Sequence, residues 1–252
     1  MAVLEDARRA HADLARAQKS GANVPWYMRV VNRRLGRVIA SVAAQGPFTP
    51  NHLTAASFAS FLGAAALLVA VKPGVAMAIV AVVLLQLGFA FDSADGQLAR
   101  LKGGGSPAGE WLDHVVDSAR HLLFHLAVLI GVFRFTDVDE VVLIIPLAFG
   151  VVSSVRFFAQ ILAEQLARRD PLARPDAVPK FGTWIQAPAD TGILNFVVLL
   201  WPWTTVFLWA YGILGALNAV LLAATVVRRH RGRRSYATTT AALPVLNATV
   251  TA

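Results

Sequence analysis

The stretch FDSADGQLARLKGGGSPAGEWLDHVVD, from Phe91 to Asp117, decides how this chain is organised, because it places four aspartates between two long apolar segments. Asp92 and Asp95 are three residues apart, and Asp113 and Asp117 are four apart, so on helices each pair lies on one face. The two pairs can therefore face each other. Four convergent carboxylates predict a site for hard divalent cations, because oxygen ligands select Mg²⁺, Mn²⁺ or Ca²⁺ over zinc.

The composition is that of a membrane protein. Of the 252 residues, 56% are hydrophobic and only 15% are charged. The chain has no cysteine, which excludes disulfides and thiolate metal sites. The formal net charge is +8. In a membrane protein such basic residues collect on the cytoplasmic flanks, so we expect no nucleic-acid partner.

Apolar segments of spanning length predict an all-α, polytopic membrane helix bundle of about six transmembrane helices. Thr49 and Pro50 form a helix start before the first predicted span. Pro188 and Asp190 interrupt the first half of the fifth predicted span. The basic residues of the short loops place both termini and the four aspartates on the cytoplasmic side, in a multi-pass protein of a bacterial cell membrane. The predicted spans are Leu53–Val71, Val75–Phe91, Gly109–Phe133, Val141–Leu162, one ending with Thr191–Leu200, and Thr204–Val227.

The pattern divides the chain into three parts. Residues 1–48 are a charged cytoplasmic segment ending in an amphipathic helix from Pro25 to Gln45, residues 49–234 are the transmembrane catalytic domain, and residues 235–252 are a cytoplasmic tail expected to be poorly ordered. The amphipathic helix should lie in the inner membrane interface. The alternative to this interfacial position is a solvated helix that packs on a soluble domain. The apolar stripe is Tyr27, Val31, Leu35, Val38 and Val42, and the basic stripe is Arg29, Arg33 and Arg37.

The spacing D-x2-D-G-x2-A-R-x8-G-x3-D-x3-D, from Asp92 to Asp117, resembles the signature of the CDP-alcohol phosphotransferase family, also called CDP-alcohol phosphatidyltransferases. Every fixed position of that signature is filled here at the family's spacing. The segment TPNHLT, residues 49–54, also resembles the one before the family's first span, although this match is short. A local similarity to the choline and ethanolamine phosphotransferase branch, at Ser106, Pro107, Glu110 and His114, is too limited to assign the alcohol.

The resemblance implies an enzyme of phospholipid biosynthesis. An acceptor hydroxyl attacks the phosphate of a CDP-linked donor, with CDP-diacylglycerol as the expected donor, and CMP leaves. The partners are a lipid or polar alcohol acceptor and membrane lipids, and a homodimer is left open. Asp92, Asp95 and Asp113 would bind two ions of Mg²⁺ or Mn²⁺, and Asp117 would bind metal and deprotonate the hydroxyl. Nucleotide-binding positions carried over from the family are Gly96, Ala99, Arg100, Gly109, Asn51 and Thr54.

An acceptor site is predicted from Arg156, which lies in an apolar stretch where charge is costly. Counted from Leu162, it lies about 9 Å above the inner boundary, between the depths of roughly 6 and 12 Å estimated for Asp113 and Asp117. A phosphorylated alcohol held between Arg156 and Lys180 would present its hydroxyl to Asp117. The alternative is an internal salt bridge from Arg156 to Asp190 or to a motif acid.

Other interpretations stay open at this point. The four aspartates could form interhelical salt bridges with Arg100 and Arg120, although two arginines do not neutralise four buried acids. His121 and His125 extend the face of Asp117, but within a span interhelical hydrogen bonds are favoured over metal binding. An ion-coupled transporter also uses paired acids, and an Asp-rich membrane prenyltransferase uses metal. The metal sites of such prenyltransferases usually resemble clustered DDxxD motifs, and this chain has no Asp-Asp pair.

Overall fold

The computed structural model describes residues 2–16, 25–169 and 186–250, with side chains described for 5–16, 25–169 and 186–231. Helices account for nearly all of it, and the described ranges contain no strand. The α-helices are α1 (Ala2–Arg16), α2 (Arg33–Ala43), α3 (Pro50–Ala70), α4 (Val75–Leu101), α5 (Pro107–Phe135), α6 (Ile144–Arg169), α7 (Thr191–Val197) and α8 (Thr204–Val250). A π-helical turn, Met28–Asn32, precedes α2, and 3₁₀ turns cover Glu140–Leu143, Ala187–Ala189 and Val198–Leu200.

Five of the described helices are long and apolar enough to cross a membrane, which confirms the helical membrane bundle. They are Pro50–Ala70, Val75–Leu101, Pro107–Phe135, Glu140–Arg169 and Thr204–Arg231. Several extend beyond the predicted bounds. In particular, α4 continues without a break from its apolar part through the first two aspartates to Leu101, and α6 ends at Arg169 rather than near Leu162.

In the described residues the predicted fifth span is represented by a shorter apolar segment. Thr191–Leu200 is ten residues long, about 15 Å, which is half the thickness of a bilayer core. The turn before it lies level with the middle of α6, because the Ala189 carbonyl accepts a hydrogen bond from Arg156. Asp190 caps α7 by accepting from the Gly192 N–H at 3.0 Å, so the helix starts there rather than in the preceding residues.

The helix start predicted at Thr49 is confirmed. The Thr49 hydroxyl accepts from the His52 N–H at 3.3 Å, and His52 Nδ1 accepts from the Thr49 N–H at 3.2 Å. Between α4 and α5 the chain turns through Gly103 and Gly104, whose φ angles of 94° and 116° suit glycine. Ser106 then caps α5 through the Gly109 N–H at 3.0 Å. These turns bring the starts of α3 and α5 to the same end of the bundle as the end of α4.

The amphipathic helix α2 packs its small residues on α4 beside the motif. A side chain at Gly36 would lie 2.7 Å from Ser93 Oγ, so glycine permits this close approach. Asn32 Nδ2 donates to the Phe89 carbonyl at 3.0 Å, and Gln97 Nε2 donates to the Arg33 carbonyl at 3.1 Å. The apolar residues Leu35, Val38 and Val42 are exposed on the opposite side, as expected of a helix whose apolar stripe faces lipid.

The two terminal parts of the chain add helix to this frame. Leu14 of α1 is buried against α2 and the motif ends of α3 and α4, together with Ala40, Leu53 and Leu98. The backbone of α8 continues to Val250, through most of the tail for which the sequence predicts little order. Alanine and threonine can sustain helical backbone bonds without the apolar periodicity that packing would need. The order of this tail remains a prediction.

Candidate metal centre and active site

The four motif aspartates converge where the last turns of α4 meet the first turns of α5. One carboxylate oxygen from each of Asp92, Asp95 and Asp113 lies within 4.8 Å of the others. A second group, formed by Asp113, His114 and Asp117, satisfies the same limit. The two groups share Asp113, so the quartet predicted from the spacing is a single cluster between two helices.

Asp95 is the most buried of these acids, at 4% exposure. Its Oδ2 accepts a hydrogen bond of 2.6 Å from Thr54 Oγ1 on α3, and its Oδ1 accepts from the Gly96 N–H. Within the described part of the chain, neither Asp95 nor Asp113 lies within 4.0 Å of a basic nitrogen. A carboxylic acid in such a place is stabilised by a bound cation or by a proton, because burial of an uncompensated charge is costly.

Asp92 and Asp117 are bridged by Arg120, which the sequence analysis considered only as a salt-bridge partner. The Nη2 group of Arg120 donates to one oxygen of each carboxylate, and Nη1 donates to Ser57 Oγ at 2.6 Å. Ser57 Oγ in turn donates to the Gly88 carbonyl at 2.7 Å. The salt-bridge alternative is therefore realised for half of the quartet, and Arg100 forms no ion pair within 4.0 Å of the described acids.

Residues predicted to bind the nucleotide lie beside this cluster, where the starts of α3 and α5 meet the end of α4. Asn51, at the start of α3, lies beside Gly109, since a Cβ built on Gly109 would be 3.5 Å from Asn51 Oδ1. The guanidinium of Arg100 lies over Gly96, 3.6 Å from the place of its missing Cβ. Ala99 lies at the turn that follows, where its carbonyl accepts from the Gly104 N–H at 2.9 Å. Thr54 differs from the others because its hydroxyl contacts Asp95 directly.

Arg33, which was not predicted as a site residue, lies on α2 beside the helix that carries the first two aspartates. Arg33 of α2 is an electrostatic neighbour of Arg100 on α4, and burial together with the charges of Arg100 and Arg29 lowers the pKa of Arg33. Two cations held close together suit an anionic ligand. The sequence indicated the basic stripe but not its proximity to the motif, which depends on the close contact at Gly36.

The predicted acceptor residue Arg156 reaches from α6 towards the start of α7. Its Nη2 group donates to the Ala189 carbonyl at 3.0 Å, and its buried Nε has no hydrogen-bond partner among the described residues. Asp190 is an electrostatic neighbour without a contact below 4.0 Å, and its carboxylate accepts from the Met28 N–H at 3.1 Å. Lys180, the other predicted acceptor residue, lies outside the described residues.

The two histidines above the motif on α5 form interhelical hydrogen bonds, as favoured from the sequence. His121 Nδ1 lies 2.9 Å from Ser153 Oγ on α6, and His125 Nδ1 lies 2.5 Å from Tyr211 Oη on α8. The His125 ring is 2% exposed and packs on Phe149. Both rings therefore have partners that tie α5 to its neighbours.

The donor set fits a hard divalent cation. All four acids offer oxygen, two of them lack a cationic partner within reach, and Asp95 is held by hydrogen bonds on both oxygens as metal-ligating carboxylates are. The fold and the site together define a polytopic helical membrane protein with a carboxylate centre at one end of its bundle. A family model of CDP-alcohol phosphatidyltransferase matches residues 48–228, which is well over half of the chain, and the protein belongs to that family. A search of curated proteins returned no match.

Proposed function

We propose that the protein transfers a phosphatidyl or phospho-alcohol group from a CDP-linked donor, with CDP-diacylglycerol as the expected donor, to an acceptor hydroxyl, releasing CMP. Membership of the family carries the general reaction. The observation that supports it most strongly in this chain is the cluster of four aspartates between α4 and α5, with Asp95 and Asp113 lacking a cationic partner within 4.0 Å among the described residues.

The expected cofactors are two ions of Mg²⁺ or Mn²⁺, held by Asp92, Asp95, Asp113 and Asp117. Bound there, such ions neutralise charge on the transferred phosphate and on the departing nucleotide. The chain's own residues supply the rest of the site. Thr54 and the Gly96 N–H fix the orientation of Asp95, and the small residues Gly96, Ala99 and Gly109 would leave room for the nucleotide.

In the proposed reaction the acceptor oxygen forms a bond to the donor phosphorus, and the bond from that phosphorus to the CMP oxygen breaks. Asp117 takes the hydroxyl proton, and CMP keeps the electron pair of the broken bond. Arg100 and Arg33 would lie beside the nucleotide phosphates, which is consistent with their proximity. Asn51 and Gly109 would lie at the entrance from the cytosol, where the starts of α3 and α5 meet.

For the acceptor we propose that Arg156 and Lys180 bind a polar or phosphorylated head group. Two observations support a role for Arg156. Its buried Nε has no partner among the described residues, and it lies on α6, the helix whose Ser153 contacts His121 of α5. Arg229 of α8 adds a further cation on this side, donating to the Ala159 carbonyl at 3.1 Å, one turn of α6 beyond Arg156. A lipid could approach this side through the membrane.

The test is product formation by the purified protein in detergent or vesicles. We expect a new phospholipid when the protein, Mg²⁺ and CDP-diacylglycerol are supplied with the right alcohol from a panel that includes glycerol phosphate, inositol phosphate and serine. A parallel panel pairs soluble CDP-alcohols with diacylglycerol. A product from the second panel alone would replace CDP-diacylglycerol as the donor, and no product from either would contradict the proposal.

A further inference from the structure

Arg120 occupies an unusual place for an arginine, because it is bonded to two of the four acids of the proposed metal centre. Its side chain is 14% exposed, and those of Asp92 and Asp117 are 16% and 25% exposed. Three helices contribute to the arrangement, since Ser57 of α3 holds the second nitrogen of the guanidinium and is itself bonded to the Gly88 carbonyl of α4. Both terminal nitrogens of the guanidinium are therefore hydrogen-bonded, Nη1 to Ser57 and Nη2 to the two aspartates.

A guanidinium keeps its charge at any pH at which the protein is folded, so Arg120 is a permanent cation on the oxygens it contacts. It uses Asp92 Oδ1 and Asp117 Oδ1. Asp95 and Asp113 form no ion pair with the guanidinium among the described residues, whereas Asp92 and Asp117 each share one carboxylate oxygen with it. The quartet thus has one end compatible with a divalent cation and one end held by arginine.

We propose that Arg120 is a built-in competitor for divalent cations, which holds Asp92 and Asp117 while metal is absent and which a metal ion must displace. The proposal rests on the metal dependence proposed above. It makes the four acids unequal: a cation can be held by Asp95 and Asp113 first, and ligation by Asp92 and Asp117 follows only when Arg120 gives way. Asp117 is then freed to accept a proton when the centre is fully loaded.

Arg120 affects the affinity of the site for a divalent cation through two opposing contributions. Hydrogen bonds from Arg120 orient the carboxylates and so favour ligation, whereas its positive charge opposes a cation placed a few ångström away. We expect the repulsion by the charge to be the larger contribution. Arg120→Gln should therefore bind the second, lower-affinity Mn²⁺ ion at least about tenfold more tightly than the wild type does. Without metal the same variant should melt at a lower temperature, because two buried carboxylates lose their counterion.

The experiment is a Mn²⁺ titration of the full-length protein, followed by calorimetry and by the signal of free Mn²⁺, with melting measured in chelator and in Mn²⁺. Ser57→Ala provides a second variant, which keeps every charge but loosens the guanidinium and should also tighten Mn²⁺ binding, although less. Arg168→Gln is the matched control, because it removes an arginine bonded to Glu110 of α5 at 2.6 Å, outside the quartet. It should leave Mn²⁺ affinity unchanged.

Tighter Mn²⁺ binding by Arg120→Gln and Ser57→Ala, with a larger melting shift on adding Mn²⁺, supports the competition. Unchanged or weaker binding in these variants would overturn it and leave Arg120 as a structural ion pair. If Arg120→Gln does not fold, Ser57→Ala decides in the same way. Absence of Mn²⁺ binding by every protein, wild type included, would contradict the proposed metal dependence itself and this inference with it.

Discussion

The Oγ1 atom of Thr54 lies 2.6 Å from Oδ2 of Asp95, so a hydroxyl on the first spanning helix holds a carboxylate on the second. The same hydroxyl lies 3.2 Å from the Pro50 carbonyl, but the carboxylate contact is the shorter and is strengthened by charge. The family signature begins at Asp92, on the next helix. Thr54 therefore extends the proposed metal centre to a third helix.

Thr54→Val should weaken divalent cation binding and turnover by about tenfold, because loss of a hydrogen bond that orients a ligating carboxylate has effects of that size. Valine has nearly the same shape, so the fold should be preserved. Titration with Mn²⁺ and initial rates at several Mg²⁺ concentrations measure both effects. Thr54→Ser, which keeps the hydroxyl, should restore most of the affinity.

Ser60→Ala is the control on the same helix, because the Ser60 hydroxyl bonds only to the Ala56 carbonyl one turn before it, among the contacts described. It should behave as the wild type. Equal metal affinity in Thr54→Val and Ser60→Ala would show that the contact to Asp95 has no part in metal binding.

Asp117→Asn should lower turnover by at least about 100-fold while the folded protein remains in the membrane, since an amide neither accepts the hydroxyl proton nor supplies an anionic ligand. The rate is measured as CMP release, and folding is checked by size-exclusion chromatography. Asp137→Asn, at an exposed position between α5 and α6, is the control. Turnover near that of the wild type would remove Asp117 from the mechanism.

Arg156→Ala should raise the acceptor KM about tenfold or more, with little change in the donor KM, because a charged hydrogen bond to an anionic head group is lost. Steady-state kinetics with each substrate varied in turn measure the two constants. The contact to the Ala189 carbonyl also gives Arg156 a structural role, so a moderate loss of melting temperature is expected.

Asp190→Asn distinguishes the two roles of Arg156. Asparagine can still cap α7 through its carbonyl oxygen, so this variant removes the charge near the guanidinium together with the acceptor for the Met28 N–H. Under the acceptor proposal its acceptor KM stays close to that of the wild type. A large melting loss in both variants with an unchanged acceptor KM would instead identify a structural pair and leave the acceptor site unlocated.

Gly131→Ala should destabilise the fold by about 1–3 kcal/mol, because an added methyl group has no space and the helices must move apart. A Cβ at this position would lie 2.5 Å from the Leu68 carbonyl and 2.7 Å from the Trp201 ring. Gly212→Ala is the matched change, since its Cβ would meet only Ile145 side-chain atoms at 3.6 Å and beyond. Melting of both variants in one detergent tests the difference, and equal stability would contradict the packing at Gly131.

The sequence was sufficient to predict features that depend on spacing within one helix. The intervals from Asp92 to Asp95 and from Asp113 to Asp117 predict two faces of carboxylates, and the structure brings these faces together. The capping pattern at Thr49 predicts the start of α3 for the same reason. Composition and apolar length were sufficient for the membrane bundle, because these properties are independent of how the helices pack.

Features that depend on contacts between helices could not be predicted in this way. Arg120 has no periodic signal that selects Asp92 as its partner, since that contact depends on the distance between α4 and α5. The charges of Arg33 and Arg100 act on each other across the two helices, and Gly36 allows α2 to approach α4 closely. The apolar run 191–200 suggested part of a full span, but the helix begins at Thr191, where Asp190 caps it.

The most direct test of the central claim is CMP release from CDP-diacylglycerol by the purified protein, measured with the acceptor panel in Mg²⁺, in Mn²⁺, in zinc alone and in excess chelator. The four aspartates supply oxygen ligands only, so we expect release in Mg²⁺ or Mn²⁺ with a matching alcohol, loss of release in chelator, and recovery when Mg²⁺ is returned. CMP release that persists in chelator, or that zinc alone restores, would contradict the account of this site.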